Sequence, residues 1–162
     1  MDQHEIDSEL ASARELLDST SAAHLAYTAS DGSPRVVPVG IWWTGEELVV
    51  STAATAPKVA ALTARPEVAV AIDAGDSPAG ARSLSVRGRA DIRIVDGVVE
   101  EFLAAARKSM TPEAAAEFEN GCRAMYDRMA RIAITPRWAR YYDFGTGRVP
   151  KFLQELAERA GR

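Results

Sequence analysis

Two hydroxyls and a lysine lie within the eight residues 51–58. Ser51 and Thr52 end an apolar segment, and Lys58 stands just inside the start of a short helix. We predict Thr55 as the N-cap of that helix, because a threonine hydroxyl accepts hydrogen bonds from first-turn amides. The opening amides of a helix carry partial positive charge, so the group could bind a phosphate. The alternative is an ordinary capped helix with a solvated lysine.

The segment before these residues, "RVVPVGIWW" (35–43), is apolar on both of its alternating sides. Pro38 cannot donate a ladder hydrogen bond, and Gly40 lets another group approach the backbone closely. Beside Trp42 this arrangement predicts a slot for a flat ring, and the alternative is a bent strand in a barrel corner. A ring slot next to an anion site fits a ligand of flavin size. The residues of the slot are Pro38, Val39, Gly40, Ile41 and Trp42.

Hydrophobic periodicity predicts the elements that position these residues. Strands are expected at 24–29, 35–43, 47–52, 67–73, 83–95 and 130–144, and helices at 3–18, 56–65, 97–109, 112–126 and 149–160. Hairpin-length turns favour antiparallel pairing, and the region 24–52 leaves no room for crossover helices. We therefore expect one domain over 1–162, mainly β with peripheral helices. Its helical parts are 1–19, the insertion 97–126 and 149–160.

Composition narrows the function. The formal net charge of −4 argues against nucleic-acid binding. No apolar run is long enough to span a membrane, and the acidic start "MDQHEIDSEL" is unlike a signal peptide, so a cytoplasmic location is expected. Cys122 is the single cysteine, and His4 and His24 are the only histidines, which excludes a histidine-rich metal cluster. We predict no metal site and no catalytic side chain: the chemistry comes from a bound molecule.

Three segments carry a resemblance to a known family: "DGSPRVVPVGIWWTGEELVVST", "APKVAALTARPEVAVAID" and "MARIAITPRWARYYDF". Over about 20–145 the chain resembles the pyridoxamine 5'-phosphate oxidase-like, FMN-binding split β-barrel proteins, of the flavin or deazaflavin oxidoreductase type. The resemblance implies a six-stranded antiparallel split β-barrel that forms a homodimer. It also implies FMN in each interface groove and a small-molecule substrate.

The resemblance also assigns roles by position. Pro38 to Trp42 lie along the flavin ring, mainly through backbone groups, while Ser51, Thr52 and Lys58 hold the phosphate. Trp138 lines the groove or comes from the partner subunit. We further expect Trp138 to share one strand face with Ile132 and Ile134, and a second copy to cover that apolar face.

The chain departs from the oxidases at several positions. Val37 and Pro57 stand where those enzymes carry arginines, which weakens the phosphate site. No histidine follows His24, although vitamin B6 oxidases and haem-binding relatives use a late one. The chain is therefore not expected to be a true pyridoxamine phosphate oxidase.

Several functions stay open. The first is an FMN-dependent oxidoreductase that passes hydride or electrons to a small molecule. A variant uses the deazaflavin coenzyme F-420, whose longer anionic tail needs further cations such as Arg35 and Arg65. Other readings are a non-enzymatic flavin-binding or sequestering protein and a dimer without cofactor.

Overall fold

The computed structural model describes residues 1–161, which fold around one antiparallel sheet. The strands are β1 (Ala22–Thr28), β2 (Pro34–Gly40), β3 (Trp42–Trp43), β4 (Leu48–Ala53), β5 (Glu67–Ala74), β6 (Arg82–Asp96) and β7 (Arg128–Asp143). The helices are α1 (Gln3–Ser12), α2 (Arg14–Ser19), α3 (Pro57–Ala64), α4 (Glu100–Arg107), α5 (Pro112–Met125) and α6 (Lys151–Ala160). A single 3-10 turn, Pro78–Gly80, precedes β6.

The strands follow the order β2-β1-β5-β6-β7-β4-β3, and every neighbouring pair is antiparallel. The two longest strands, β6 and β7, pair along their whole length and form the centre of the sheet. The prediction of a mainly antiparallel β fold with peripheral helices is confirmed. No ladder joins the two outer edges within residues 1–161, so the sheet is not closed.

The segment 34–43 links the two edges of the sheet. Residues 35–43 were expected as one strand, but the strand breaks at Ile41, so that six predicted strands correspond to seven observed ones. The β2 part pairs with β1, whereas Trp42 and Trp43 pair with β4 on the opposite edge. At the break, the buried Ile41 donates its N–H to Ser21 O at 2.9 Å, which keeps this residue on the β1 side.

The main core lies between the inner face of the sheet and the N-terminal helices. A single helix over 3–18 was expected, but the helix is interrupted at Ala13, which separates α1 from α2. Both pieces bury apolar residues, and Leu16 in α2 is fully buried. The core includes Ile6, Leu10, Leu25, Val50, Leu62, Val70, Leu84, Val86, Ile132 and Ile134.

The helices α4 and α5 form a hairpin on the outer side of β4 and β7, around a second apolar cluster. The predicted helix 97–109 is shorter than expected, because Gly97 turns with φ 73° and Val98 and Val99 enter the cluster before α4 begins. The predicted start of α5 is confirmed: the Thr111 hydroxyl accepts from Ala114 N at 3.3 Å. Burial raises the pKa of the Cys122 thiol in this cluster.

A β-bulge interrupts the β6–β7 ladder. Arg87 lies opposite Trp138 and Gly88 lies opposite Pro136, so Arg137 is left without a partner. Because one extra residue reverses the alternation of a strand, Trp138 points to the outer face. The prediction that Trp138 shares the face of Ile132 and Ile134 is therefore wrong, since those two isoleucines are buried in the core.

The helix α6 closes the described chain and contributes no buried residue. Its side chains Phe152 and Leu156 are exposed. Across residues 1–161, every helix is too short or too polar to cross a lipid bilayer.

Replacing Gly88 by alanine should destabilise the fold. A Cβ atom at Gly88 would collide with the carbonyl oxygen of Thr135 and lie 2.9 Å from Ile134 Cγ2, in a position where the backbone of β7 cannot withdraw. We expect a loss of about 1–3 kcal/mol in the free energy of unfolding, measured by urea denaturation. In the matched variant Gly121→Ala the added methyl group meets no atom within 4 Å, and a helix interior favours alanine. Equal stability of the two variants would contradict the role of Gly88.

Candidate functional site

The predicted cofactor residues border a split between the two edges of the sheet. Trp42 pairs with Val49, so a continued ladder would place Gly40 opposite Ser51. The strands separate instead, because Ile41 bonds to Ser21 on the β1 side. The slot residues 38–42 therefore line one side of the split, and Ser51 and Thr52 line the other. These two predicted groups, separate in the sequence, are brought together by the fold.

Ser51 and Thr52 point to opposite faces of β4, because successive residues of a strand alternate. Ser51 lies opposite Arg131, towards the helical hairpin, whereas Thr52 lies opposite the fully buried Ala130. Within residues 1–161, Ser51 Oγ is the one fully buried side-chain polar atom that has no hydrogen-bond partner. A buried hydroxyl without a partner is costly, and in native proteins such a group commonly marks a ligand or water site.

Arg131 is a cation near this site that the sequence analysis missed. Its guanidinium donates from Nε to Glu101 Oε1 at 2.7 Å, and Glu101 belongs to α4. Both side chains are mostly buried, so the ion pair fastens the helical hairpin to β7. The signal was available in "ARIAI" (130–134), where one arginine interrupts an apolar strand. Its position opposite Ser51 depended on the strand register, which the sequence does not show.

Lys58 lies in the first turn of α3, which begins soon after β4 ends. The prediction of Thr55 as N-cap is wrong: the helix starts at Pro57, its N-cap is Ala56, and no side chain caps it. The turn is closed by Ala56 N donating to Ala53 O at 3.0 Å. Lys58 is partly buried and forms no ion pair with any residue of 1–161. Its ammonium group is therefore uncommitted.

The slot residues alternate between the two faces of the sheet. Gly40 and Pro38 are exposed on the outer face, whereas Val39 and Ile41 turn inward. A Cβ atom built on Gly40 would meet only Ser21 O, at an ordinary contact distance of 3.8 Å. Nothing in the described chain therefore requires glycine here, and the space in front of it is open.

Trp42 is held in place by a lysine from the helical hairpin. Lys108 Nζ lies 4.9 Å from the Trp42 ring centroid and donates to Leu17 O at 2.9 Å and to Thr20 O at 3.1 Å. Burial lowers the pKa of Lys108, an effect that the nearby Asp18 carboxylate opposes. The carbonyls belong to the end of α2, so one side chain joins α2, α4 and β3. This contact fixes the tryptophan at the end of the slot.

Trp138 does not join the other predicted residues within one chain. It belongs to an outer row of residues that lie opposite one another across five strands: Val36, Ala26, Ala69, Arg87 and Trp138. The Arg87 guanidinium stacks over the Trp138 ring, with Cζ 4.1 Å from its centroid. Four strand spacings separate β7 from β2, about 19 Å along the sheet. Val36, at the other end of the row, is 66% exposed.

Five surface cavities of about 280–500 Å³ occur in the described chain, and none of these five is lined by a predicted cofactor residue. The split is therefore separate from these five cavities.

The two arginines considered for a longer anionic tail are engaged locally. Arg35 donates to Ser33 Oγ at 2.6 Å and lies 3.4 Å from Asp31, while Arg65 donates to Ala29 O at 2.9 Å. His24 is exposed, with its Nδ1 3.8 Å from Asp73. The predicted cofactor residues thus include one uncommitted ammonium, one unpartnered buried hydroxyl and a glycine with open space in front of it. An ammonium and a hydroxyl suit an anion, and an open backbone position suits a flat ring.

Comparison with known proteins identifies the family. The sequence model of the pyridoxamine 5'-phosphate oxidase family matches residues 9–139, and the chain belongs to this family. Among proteins with curated functions, none matches the sequence.

Solved structures share the fold. A conserved hypothetical protein from Mycobacterium tuberculosis is 20% identical, with 93% of this chain and 89% of that chain covered and a TM-score of 0.61. A protein named F420 reductase is 27% identical, covers 78% of this chain and 94% of its own, and has a TM-score of 0.58. HutZ, a haem storage protein from Vibrio cholerae, is 17% identical, with 83% and 94% covered and a TM-score of 0.58. The fold therefore accommodates more than one cofactor chemistry.

Replacing Ser51 by alanine should stabilise the protein in the absence of a ligand. The buried hydroxyl lacks a partner, so its removal relieves a desolvation cost at little loss of packing. We expect the free energy of unfolding to rise by about 1 kcal/mol in urea denaturation. The matched change Ser85→Ala lies on an exposed outer position and should alter stability by less than about 0.5 kcal/mol. A destabilised Ser51→Ala variant would mean that the hydroxyl has a partner in solution.

Proposed function

We propose that this protein is a flavin-dependent oxidoreductase that binds FMN in the split and transfers hydride or electrons to a small molecule. The observation that carries the proposal is the buried, unpartnered Ser51 hydroxyl beside a helix start whose Lys58 is uncommitted. Both groups suit a terminal phosphate, since a hydroxyl can donate to it and an ammonium can neutralise it.

The ring-binding half of the proposal rests on the open face at Gly40. A planar ring can approach the backbone there, because only Ser21 O lies within 4 Å of the position of an added Cβ. Trp42, fixed by Lys108, provides the end of the slot. Bound flavin supplies the redox chemistry, while the protein positions it and limits access of water. No side chain of this chain needs to act as an acid or a base.

We further propose that a second copy completes the groove. Trp138 lies about 19 Å from β2 along the sheet, so the proposed second copy would supply it to the Gly40 region. The outer row supports this arrangement, because Val36 is 66% exposed on the edge strand β2 at one end of the row and the Trp138 ring lies at the other end. A two-fold related copy would bring the two ends of the row together.

The cation balance of the split favours FMN over a more highly charged ligand. Val37 and Pro57 occupy positions of family arginines, and the guanidinium of Arg131 is neutralised by Glu101. Lys58 is therefore the main cation for a phosphate.

The deazaflavin coenzyme F-420 is the second candidate. It is favoured by the 27% identity to a protein named F420 reductase, and opposed by the local engagement of Arg35 and Arg65. Haem is less well supported, although a haem storage protein shares the fold, because His24 is exposed on the outer face and lies beside Asp73. A flavin-binding protein without catalytic activity would use the same residues. Only a measurement of turnover distinguishes it from the proposed oxidoreductase.

Titration of the purified protein distinguishes these candidates. FMN should bind with a shift in its visible absorption and quenching of its fluorescence, and more tightly than coenzyme F-420 or haem. Light scattering of the same sample should give the mass of a dimer. Reduction of bound FMN by a nicotinamide donor, followed by reoxidation with an added acceptor, would separate an enzyme from a storage protein. Tighter binding of coenzyme F-420 or haem would overturn the choice of FMN.

Lys58→Ala should weaken FMN binding about ten- to a hundredfold, since a charge-assisted hydrogen bond contributes roughly 1.5–3 kcal/mol. Riboflavin, which lacks the phosphate, should bind the variant and the native protein alike. The fold should be unaffected, because a lysine near a helix N-terminus opposes the helix dipole.

The control is Lys151→Ala, which removes the same charge from the exposed start of α6, where Lys151 faces Glu155 at 3.8 Å. Its affinity for FMN should match that of the native protein. An equal loss for FMN and riboflavin in the Lys58 variant would show that this lysine does not contact the phosphate.

A further inference from the structure

Trp43 differs from the other two tryptophans in its surroundings. Lys108 Nζ lies 4.9 Å from the Trp42 ring centroid, and Arg87 Cζ lies 4.1 Å from the Trp138 ring centroid. No lysine or arginine of residues 1–161 is placed in this way over Trp43. The Trp43 ring packs partly against the core and otherwise faces a cavity. Its exposed part is therefore open to a ligand.

The cavity measures about 480 Å³ and lies between α1, the turn 44–47 and the bend of β7. Leu10 and Pro136 form apolar walls beside the tryptophan. The polar lining includes the carboxylates of Asp7 and Glu46. A cavity of this size accepts a small organic molecule.

Acidic residues outnumber basic ones in the lining of the cavity. Asp7 Oδ1 accepts from Gln3 Nε2 at 2.7 Å, which leaves Oδ2 without a partner in the described chain. The carboxylate of Glu46 forms no hydrogen bond or ion pair with residues 1–161. Arg14 also lines the cavity, but its guanidinium is paired with Asp18 at 2.7 Å. The two carboxylates, against the single guanidinium of Arg14, therefore give the lining an excess of negative charge.

Both sides of the cavity are fixed before any ligand binds. The Thr44 hydroxyl accepts from Glu46 N at 3.2 Å and from Glu47 N at 2.9 Å, and Gly45 turns with φ 105°. On the other side, Asp2 and Glu5 form a capping box that holds the start of α1. Preorganised walls reduce the entropy lost on binding.

We propose that this cavity binds an organic ammonium ion, with its charged nitrogen over Trp43 and near the carboxylates of Asp7 and Glu46. Tryptophan is the aromatic side chain best suited to hold a cation over its face, and quaternary ammonium groups are recognised in this way. Leu10 and Pro136 contact the apolar part of the ligand. Both carboxylates would repel an anionic ligand, and a neutral one would gain no charge attraction from them.

This site is separate from the split and does not depend on the proposed flavin chemistry. Trp42 and Trp43 are successive residues of β3, so their side chains point to opposite faces. Lys108 covers Trp42 on the face towards α4, whereas Trp43 faces α1. A ligand in this cavity therefore lies behind the strand that borders the split.

Choline and its neutral isostere dimethylbutanol, in which carbon replaces the charged nitrogen, provide the test. Isothermal titration of the full-length protein should show saturable binding of choline at one site per chain, at least tenfold tighter than the alcohol. Equal affinities for the two molecules, or no binding of choline, would overturn the proposal.

Two sets of variants locate the site. Asp7→Asn and Glu46→Gln should each weaken choline binding about two- to fivefold, and together about tenfold. The matched double variant Glu113→Gln and Glu117→Gln removes the same charge from exposed positions on α5 and should leave affinity unchanged. Trp43→Phe keeps an aromatic ring in the core and should weaken choline but not dimethylbutanol. Loss of choline affinity in the α5 control to the same degree would also overturn the proposal, because it would reflect net charge alone.

Discussion

The pairing of β6 with β7 is the constraint on which the rest of the structure depends. This ladder runs from Arg82 opposite Asp143 to Asp96 opposite Arg128. Every other strand is placed relative to it, since β5 pairs with β6 and then receives β1 and β2, while β4 pairs with β7 and then receives β3. The positions of the two edge strands that border the split, β2 and β3, therefore depend on this central pair. A change of register here would move every residue of the site.

The bulge in this ladder divides the molecule into two surfaces. Before it, β7 places Arg131 under the helical hairpin and buries Ile132 and Ile134 in the core. After it, the reversed alternation turns Trp138 outward, where Arg87 stacks on its ring. Gly88 makes the bulge possible, because a side chain there would collide with Thr135. One extra residue thus separates the side of the split that we propose for the phosphate from the surface that we propose for a second copy.

Charged side chains on the helices form specific contacts with the strands and with other helices. Glu101 reaches from α4 to Arg131, and Lys108 reaches from the end of α4 to Trp42 and the carbonyls of α2. Glu9 of α1 is buried and accepts from Tyr141 N at 2.7 Å, while it also pairs with Arg140. Removing a partner from a buried pair leaves a charge uncompensated, which is more costly than losing an exposed pair. Charged side chains therefore tie α1 and α4 to the sheet.

Most of the strands and helices could be predicted from the sequence, because local residue patterns determine them. Strand alternation, hairpin-length turns and the Thr111-Pro112 helix start predicted the antiparallel sheet and its helices. The family also follows from ordered motifs. The grouping of residues 38–42 with Ser51 was inferred from their types, and the fold does place them across one split.

Other features were decided only by tertiary structure. The periodicity showed neither the break at Ala13 nor the break at Ile41. At Ile41 the strand breaks where its N–H bonds to Ser21 on the β1 side, a contact that no local pattern encodes. Arg131 and Glu101 are thirty positions apart in sequence and meet through packing of the hairpin on β7. The outward turn of Trp138 requires the register on both sides of the bulge, and register is a property of two strands together. The sequence by itself determined the residue types from which we predict a site for a flavin-sized ligand. The tertiary structure decided which of these residues border the same split, because that depends on contacts between distant segments.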